Sequence, residues 1–197
     1  MENTHNKVTL IAASEHDREV IYKIRHSVYA NELNQHSANG NNQLRDDLDE
    51  NNHYVVAKIG NEIAGFISIT PPNTKKFSID KYFERSSVPF PFDDFLYEIR
   101  LLTVVKDNRN SCLALALMYA AFRWVQSHGG KHIVAICRTD LIDMYCKAGL
   151  TPLGIRATSG KITFELAVAT IDSLQQMSQR KIKLFTSIKH KFNWQLP

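Results

Sequence analysis

The chain has 197 residues, 44% hydrophobic and 22% charged, with 24 Lys and Arg against 20 Asp and Glu for a formal net charge of +4. That is the composition of an ordinary soluble globular protein, long enough for one domain with a sizeable core or one domain plus an appendage. The opening MENTHNKVTL lacks the basic-then-apolar pattern of a secretory signal, and the longest nearly apolar stretch, residues 112–122, is far short of the roughly 20 residues that span a bilayer, so a cytoplasmic location is expected.

In chain order, residues 15–33 set Val20, Ile21, Ile24 and Val28 at helical spacing and predict an amphipathic helix. Residues 34–43, NQHSANGNNQ, are turn-rich and predict a loop, followed by an acidic stretch with Asp46, Asp47, Asp49 and Glu50. Residues 53–59 and 62–70 read as two strands of a hairpin around Gly60-Asn61. Residues 71–94 form a long irregular insert whose Pro and aromatic residues predict packing over a site. Residues 95–105 read as a strand, with Glu98 and Arg100 sharing one face with Leu96, Leu102 and Val104. Two ionisable groups buried in a central strand are costly unless paired or used.

A turn at 106–110 leads to a helix over 111–127, with Asn110 or Ser111 as N-cap and Gly129-Gly130 as its stop. A buried strand at 131–137, a short helix at 140–148 ended by Gly149, and two strands around Ser159-Gly160 follow. From Ile171 the pattern is helical and basic, which divides the chain into a domain at 1–170 and a basic amphipathic tail at 171–197. The order of elements predicts one α/β domain, a mixed central sheet flanked by helices on both faces. Cys112, Cys137 and Cys146 are odd in number and read as reduced core thiols. The eight histidines show no His-Glu-x-x-His or similar spacing, so no metal site is expected, and the basic tail comes with no nucleic-acid motif.

Several segments carry a resemblance. VVKDNRNSCLA stands where the GNAT acyltransferases have their acyl-carrier loop, Arg/Gln-x-x-Gly-x-Gly/Ala; here it runs from Arg109 to Ala114 with Cys112 in place of the first Gly. DMYCKAGLTPLG, residues 143–154, resembles that family's late helix, where a Tyr precedes a Gly-containing turn. RHSVY, DDLDENNHYVVAK and YEIRLLTV resemble, in order and spacing, a narrower branch, the acyl-homoserine lactone synthases and N-acyl amino acid synthases. The chain departs from the lactone synthases in having no Trp at residues 30–40. The resemblance implies a GNAT-like fold and acyl transfer from a phosphopantetheine thioester, on acyl carrier protein or coenzyme A, to a small amine. It implies no permanently bound cofactor.

The residues themselves leave alternatives open. Glu98 is a catalytic base for the amine, or half of a structural pair with Arg100; Arg100 holds an acceptor carboxylate, or Glu98. Arg25 orders the acidic segment, or covers apolar surface with its stem, and Tyr29 packs. Asp46 and Asp49, Asp49 ahead of Asp46, receive the acceptor's ammonium, or belong to a solvated turn. Tyr145 protonates the leaving thiolate, or is a buried core Tyr, and Arg138 at a strand end meets a carboxylate or phosphate. The donor-binding set is Val104, Arg109, Ser111 and Cys112, because a helix N-terminus seats anions. The basic tail packs on the domain, docks an acidic carrier protein, or touches a membrane surface. The expected activity is N-acyl transfer of a chain longer than acetyl; the alternatives are an acetyl-CoA-dependent amine acetyltransferase and a non-catalytic thioester-binding module.

Overall fold

A computed structural model describes residues 7–74 and 76–196. The first helix is set by its start: Ser14 Oγ accepts the Asp17 N–H and Asp17 Oδ2 accepts the Ser14 N–H, a reciprocal capping box. From there α1 (Glu15–Arg25) runs into a wider π-helical turn, His26–Glu32. The hairpin forms as its sequence predicts, β2 (His53–Ile59) and β3 (Glu62–Thr70), turning on Gly60 at φ 60°. Then come the insert, β4 (Leu96–Val104), α2 (Leu113–Ser127), β5 (His132–Arg138), α3 (Ile142–Lys147), β6 (Thr151–Ser159) and β7 (Ile162–Thr170).

Two strands escape the sequence reading: β1 (Thr9–Ala12), ahead of α1, and β8 (Asn193–Gln195), after the two tail helices α4 (Ile171–Arg180) and α5 (Ile182–Lys191). They pair with each other in parallel at one edge, giving an eight-stranded mixed sheet in the order β6-β7-β5-β4-β3-β2-β1-β8. The tail thus joins the main core, burying Leu174, Phe185 and Ile188 beside α2. Its other face leaves Ile182 59% and Leu184 44% exposed, among its lysines.

One face of the sheet is covered by α1, through Ile21 and Tyr22, and by the insert, whose Phe77, Ile79 and Phe83 pack on Leu96, Val134 and Leu166. The opposite face carries α2, α4 and α5. The insert is a strap of three short 3₁₀ turns rather than a wandering loop.

Strand β4 corrects the expected face assignment. Leu101 has φ 56°, and two residues, Leu101 and Leu102, stand opposite the single Ile67 of β3, a β-bulge. The extra residue resets the alternation. Glu98 and Arg100 stay on the strap side with Leu96, whereas Leu102 and Val104 turn to the α2 side with Ile99. The start of α2 also differs: Cys112 occupies the N-cap position without a side-chain bond, while the Ser111 hydroxyl just outside accepts the Leu113 N–H. Of the cysteines, Cys137 is buried and Cys112 half-buried, but Cys146 is exposed and no core thiol. No helix among the described residues is long and apolar enough to cross a membrane.

Candidate functional site

The only pairing of β4 with β5 is parallel and short, Leu96–Ile99 against His132–Ala135. Past Ile99 and Ala135 the two strands part, at the point where β4 bulges. A cavity of about 770 Å³ opens in the gap and is lined from both faces of the sheet, a size suited to a small-molecule site. Arg25, Asp46, Arg100 and Thr103 line it on the strap side; Met118, Phe122 and Phe185 line it on the α2 side.

The polar arm is an ion-pair cluster. Arg25, 2% exposed, donates from Nη1 to both oxygens of Asp49 at 2.7 Å and to Tyr54 Oη at 3.1 Å, and from Nη2 to Asp46 Oδ2 at 3.1 Å. Burial works against the Arg25 charge, but Tyr54, Asp49 and Asp46 outweigh it and raise its pKa. Arg100 donates from Nη2 to Asp46 Oδ2 and from Nη1 to Oδ1. Burial resists ionisation of Asp46, but Arg100 and then Arg25 hold its carboxyl at about 2. Asp49 is 5% exposed and takes further bonds from Tyr54 Oη at 2.7 Å and the Asp46 N–H at 2.6 Å. Asp46, whose Oδ1 also accepts the Leu48 N–H at 3.0 Å, lines the cavity, whereas Asp49 lies behind it. Asp47 is exposed.

Glu98 stands apart from this cluster and from the cavity wall. It is fully buried and accepts three bonds from the strap: Ser78 N–H at 2.7 Å on Oε2, with Ser78 Oγ at 2.6 Å and Ile79 N–H at 2.9 Å on Oε1. Burial raises its pKa, opposed by the charge of Arg100 and the strap donors. The alternative of a Glu98–Arg100 hydrogen-bonded pair is not what forms: Arg100 is bonded to Asp46, and Glu98 to the strap. Glu98 therefore lies behind Ser78, which lines the cavity, rather than on the cavity wall itself.

Tyr145 of α3 also lines the cavity, and burial pushes its phenol up, reinforced by Cys137 and Tyr29. Tyr29 is more than packing: its hydroxyl bonds Thr103 Oγ1 at 2.9 Å on the bulged strand. Arg138 lines the cavity and is bridged to Asp140 at 2.6 Å. Val104, Arg109 and Ser111 line it too, with Arg109 donating to Val104 O at 3.0 Å and Glu32 Oε2 at 2.8 Å. Cys112 does not line it; its side chain packs toward the α2 core.

Sequence reasoning missed Tyr54, Ser78, Glu32 and Thr103. Only Tyr54 had a signal, a polar-tipped residue on a strand just after the acidic turn. Ser78 had none, since a strap's partner is fixed by tertiary packing. Among the described residues no group of three or more His, Cys, Asp or Glu is placed to hold a metal ion.

Solved structures share this architecture. The CoA-dependent acyl-homoserine lactone synthase BjaI, with SAM and isopentyl-CoA, superposes with a TM-score of 0.75 at 22% identity, covering 98% of this chain and 94% of that one. FeeM, an N-acyl amino acid synthase from uncultured soil microbes, gives 0.67 at 11% identity, with 86% and 95% covered. A putative N-acetyltransferase from Lactobacillus plantarum gives 0.62 at 14%, with 84% and 99% covered, which makes the fold GNAT-like. No curated protein sequence matches the chain. The family profile described as N-acyl amino acid synthase FeeM matches residues 20–172, which span Arg25, the acidic turn, the bulged strand and the α2 loop. The chain therefore belongs to the FeeM family of N-acyl amino acid synthases, acyltransferases that move an acyl group from a thioester to an amine.

Proposed function

We propose that the cavity transfers an acyl chain longer than acetyl from a phosphopantetheine thioester to the amine of an amino acid. The observation that carries this reading is the continuity of one cavity, charged on the strap side and apolar on the α2 side, through the gap between β4 and β5. The pantetheine arm enters that gap past Arg109 and Ser111, with either coenzyme A or carrier protein behind it. The relative solved with isopentyl-CoA supports coenzyme A as a donor to test.

The acceptor meets the ion-pair cluster. Asp46, held ionised, faces its ammonium, and the neighbouring Arg100 faces its carboxylate. Once deprotonated, the amine attacks the thioester carbonyl; a C–N bond forms, the C–S bond breaks, and the sulfur leaves as a thiol while the amine gives up a proton. The interrupted ladder at Leu101–Leu102 offers main-chain donors to the carbonyl oxygen. Tyr145 donates a hydrogen bond to the departing sulfur. A phenol normally titrates near 10 and a thiol near 8.5, and burial lifts Tyr145 further, so complete proton transfer runs uphill. Glu98 acts by position, fixing the strap that covers the acceptor arm.

The test is thiol release by the purified protein. Acetyl and longer acyl groups, each on coenzyme A and on carrier protein, are supplied with a pool of amino acids, and products are identified by mass. An N-acyl amino acid formed from the longer chains is the expected result. Release from acetyl-CoA alone would overturn the chain-length reading, and thioester binding without release would overturn the catalytic one.

A further inference from the structure

The family match ends at residue 172, yet the apolar arm of the cavity is completed by residues beyond it. Leu174 and Met177 on α4 and Phe185 on α5 line the cavity together with Met118, Tyr119 and Phe122 of α2. Phe185 is 3% exposed, and its ring lies 4.6 Å from that of Tyr119, centroid to centroid. Helix α4 is pressed onto the end of α3: a Cβ at Gly149 would lie 2.5 Å from Leu174 Cδ2 and 2.9 Å from Met177 Cε. The side chains of Leu174 and Met177 are thus seated directly on the turn that follows α3. The ion-pair cluster and the bulge lie toward the other face of the sheet, so these side chains stand at the end of the arm away from the charged site.

We infer that Met177 and Phe185, on the helices that follow the family's shared region, form the end wall of the acyl arm and set the longest chain the enzyme accepts. The inference rests on the acyl-transfer reading and adds to it the residues that choose the substrate. Met177 is the adjustable part of that wall. It is only partly buried, and its unbranched thioether side chain takes several shapes. Phe185 is the fixed part, stacked against Tyr119 and seated in the main core.

The experiment measures binding of unreactive alkyl-pantetheine thioethers of graded chain length to the full chain, its Met177→Ala and Met177→Phe variants, and Phe185→Leu. Each added methylene tightens binding about fourfold while the arm still has room. Beyond the wall the gain stops. The stopping length is expected to move longer in Met177→Ala and Phe185→Leu and shorter in Met177→Phe, with the slope below it unchanged. Identical stopping lengths in the parent and every folded variant would overturn the inference, as would a parent whose affinity does not depend on chain length. Because the ligands cannot react, shifted lengths in a protein that releases no thiol would uphold the arm and refute the catalytic reading instead.

Discussion

Glu98→Gln separates an anchor from a base. Glutamine keeps one carbonyl oxygen, best placed where Ser78 Oγ and Ile79 N–H converge on Oε1. Its amide nitrogen then faces the Ser78 N–H, which loses its acceptor in a residue only 8% exposed. One buried donor left unmet costs about 1–3 kcal/mol, read as a lower urea midpoint with an unchanged slope. With the strap loosened, KM for the amino acid should rise while kcat stays within about tenfold of the parent. Ser78→Ala should reproduce a milder form, and the two substitutions should couple in a double-mutant cycle by about 0.5 kcal/mol or more. Loss of a general base predicts something else, a fall in kcat of about 10²–10⁴. A Glu98→Gln protein of parental stability and KM, with kcat reduced in that range, would refute the anchoring argument.

Asp46→Asn removes a carboxylate whose pKa is held at about 2. A depressed pKa gives stability that is present above the unfolded value near 4 and lost as pH falls toward 2, about 2 kcal/mol in all. The parent should lose that much across the window in acid unfolding curves, and the variant should be flatter there. Its KM for the amine should also rise, since Arg100 then loses its carboxylate partner while Arg25 keeps Asp49. Glu98 has the opposite sign: its pKa is raised, so ionising it as pH climbs from about 4.5 erodes stability. Tyr145→Phe should lower kcat by about tenfold or less, the worth of one hydrogen bond; a loss of hundredfold or more would restore proton transfer to this residue. Gly149→Ala should destabilise by about 1–3 kcal/mol, because φ there is 101° and the new methyl would press on Leu174 and Met177; thermal melting would register it.

What the sequence disclosed depended on the range of the forces involved. The hairpin at 53–70 was legible because alternation and a Gly-Asn turn are local signals. So was the arrangement of the late helix and its Gly stop. The edge strands β1 and β8 were not, being four and three residues long, too short to show a period and made strands only by partners far away in the chain. The bulge was hidden because nothing marks Leu101 for a left-handed backbone, a conformation usually left to Gly or Asn. That one residue inverted the facing of Leu102 and Val104. At the site, motif order brought Arg25, Asp46, Asp49, Arg100 and Tyr145 into one neighbourhood. The bonding within it was not readable: Arg100 takes Asp46 instead of Glu98, and Glu98 takes a strap serine from twenty positions upstream.

The parallel pairing of β1 with β8 has a consequence for synthesis. Asn193 reaches across 184 positions to Thr9, and the loop so closed encloses nearly every other element. During translation β1, α1 and the hairpin emerge first and can assemble, but the outer edge of β1 waits unpaired until β8 follows. The end wall of the acyl arm waits with it, because α4 and α5 lie just before β8. A nascent chain halted near residue 170 would hold its charged cluster and bulged strand while its apolar arm lay open to water and to other chains. Pulse proteolysis of chains stalled on either side of residue 185 would time that closure.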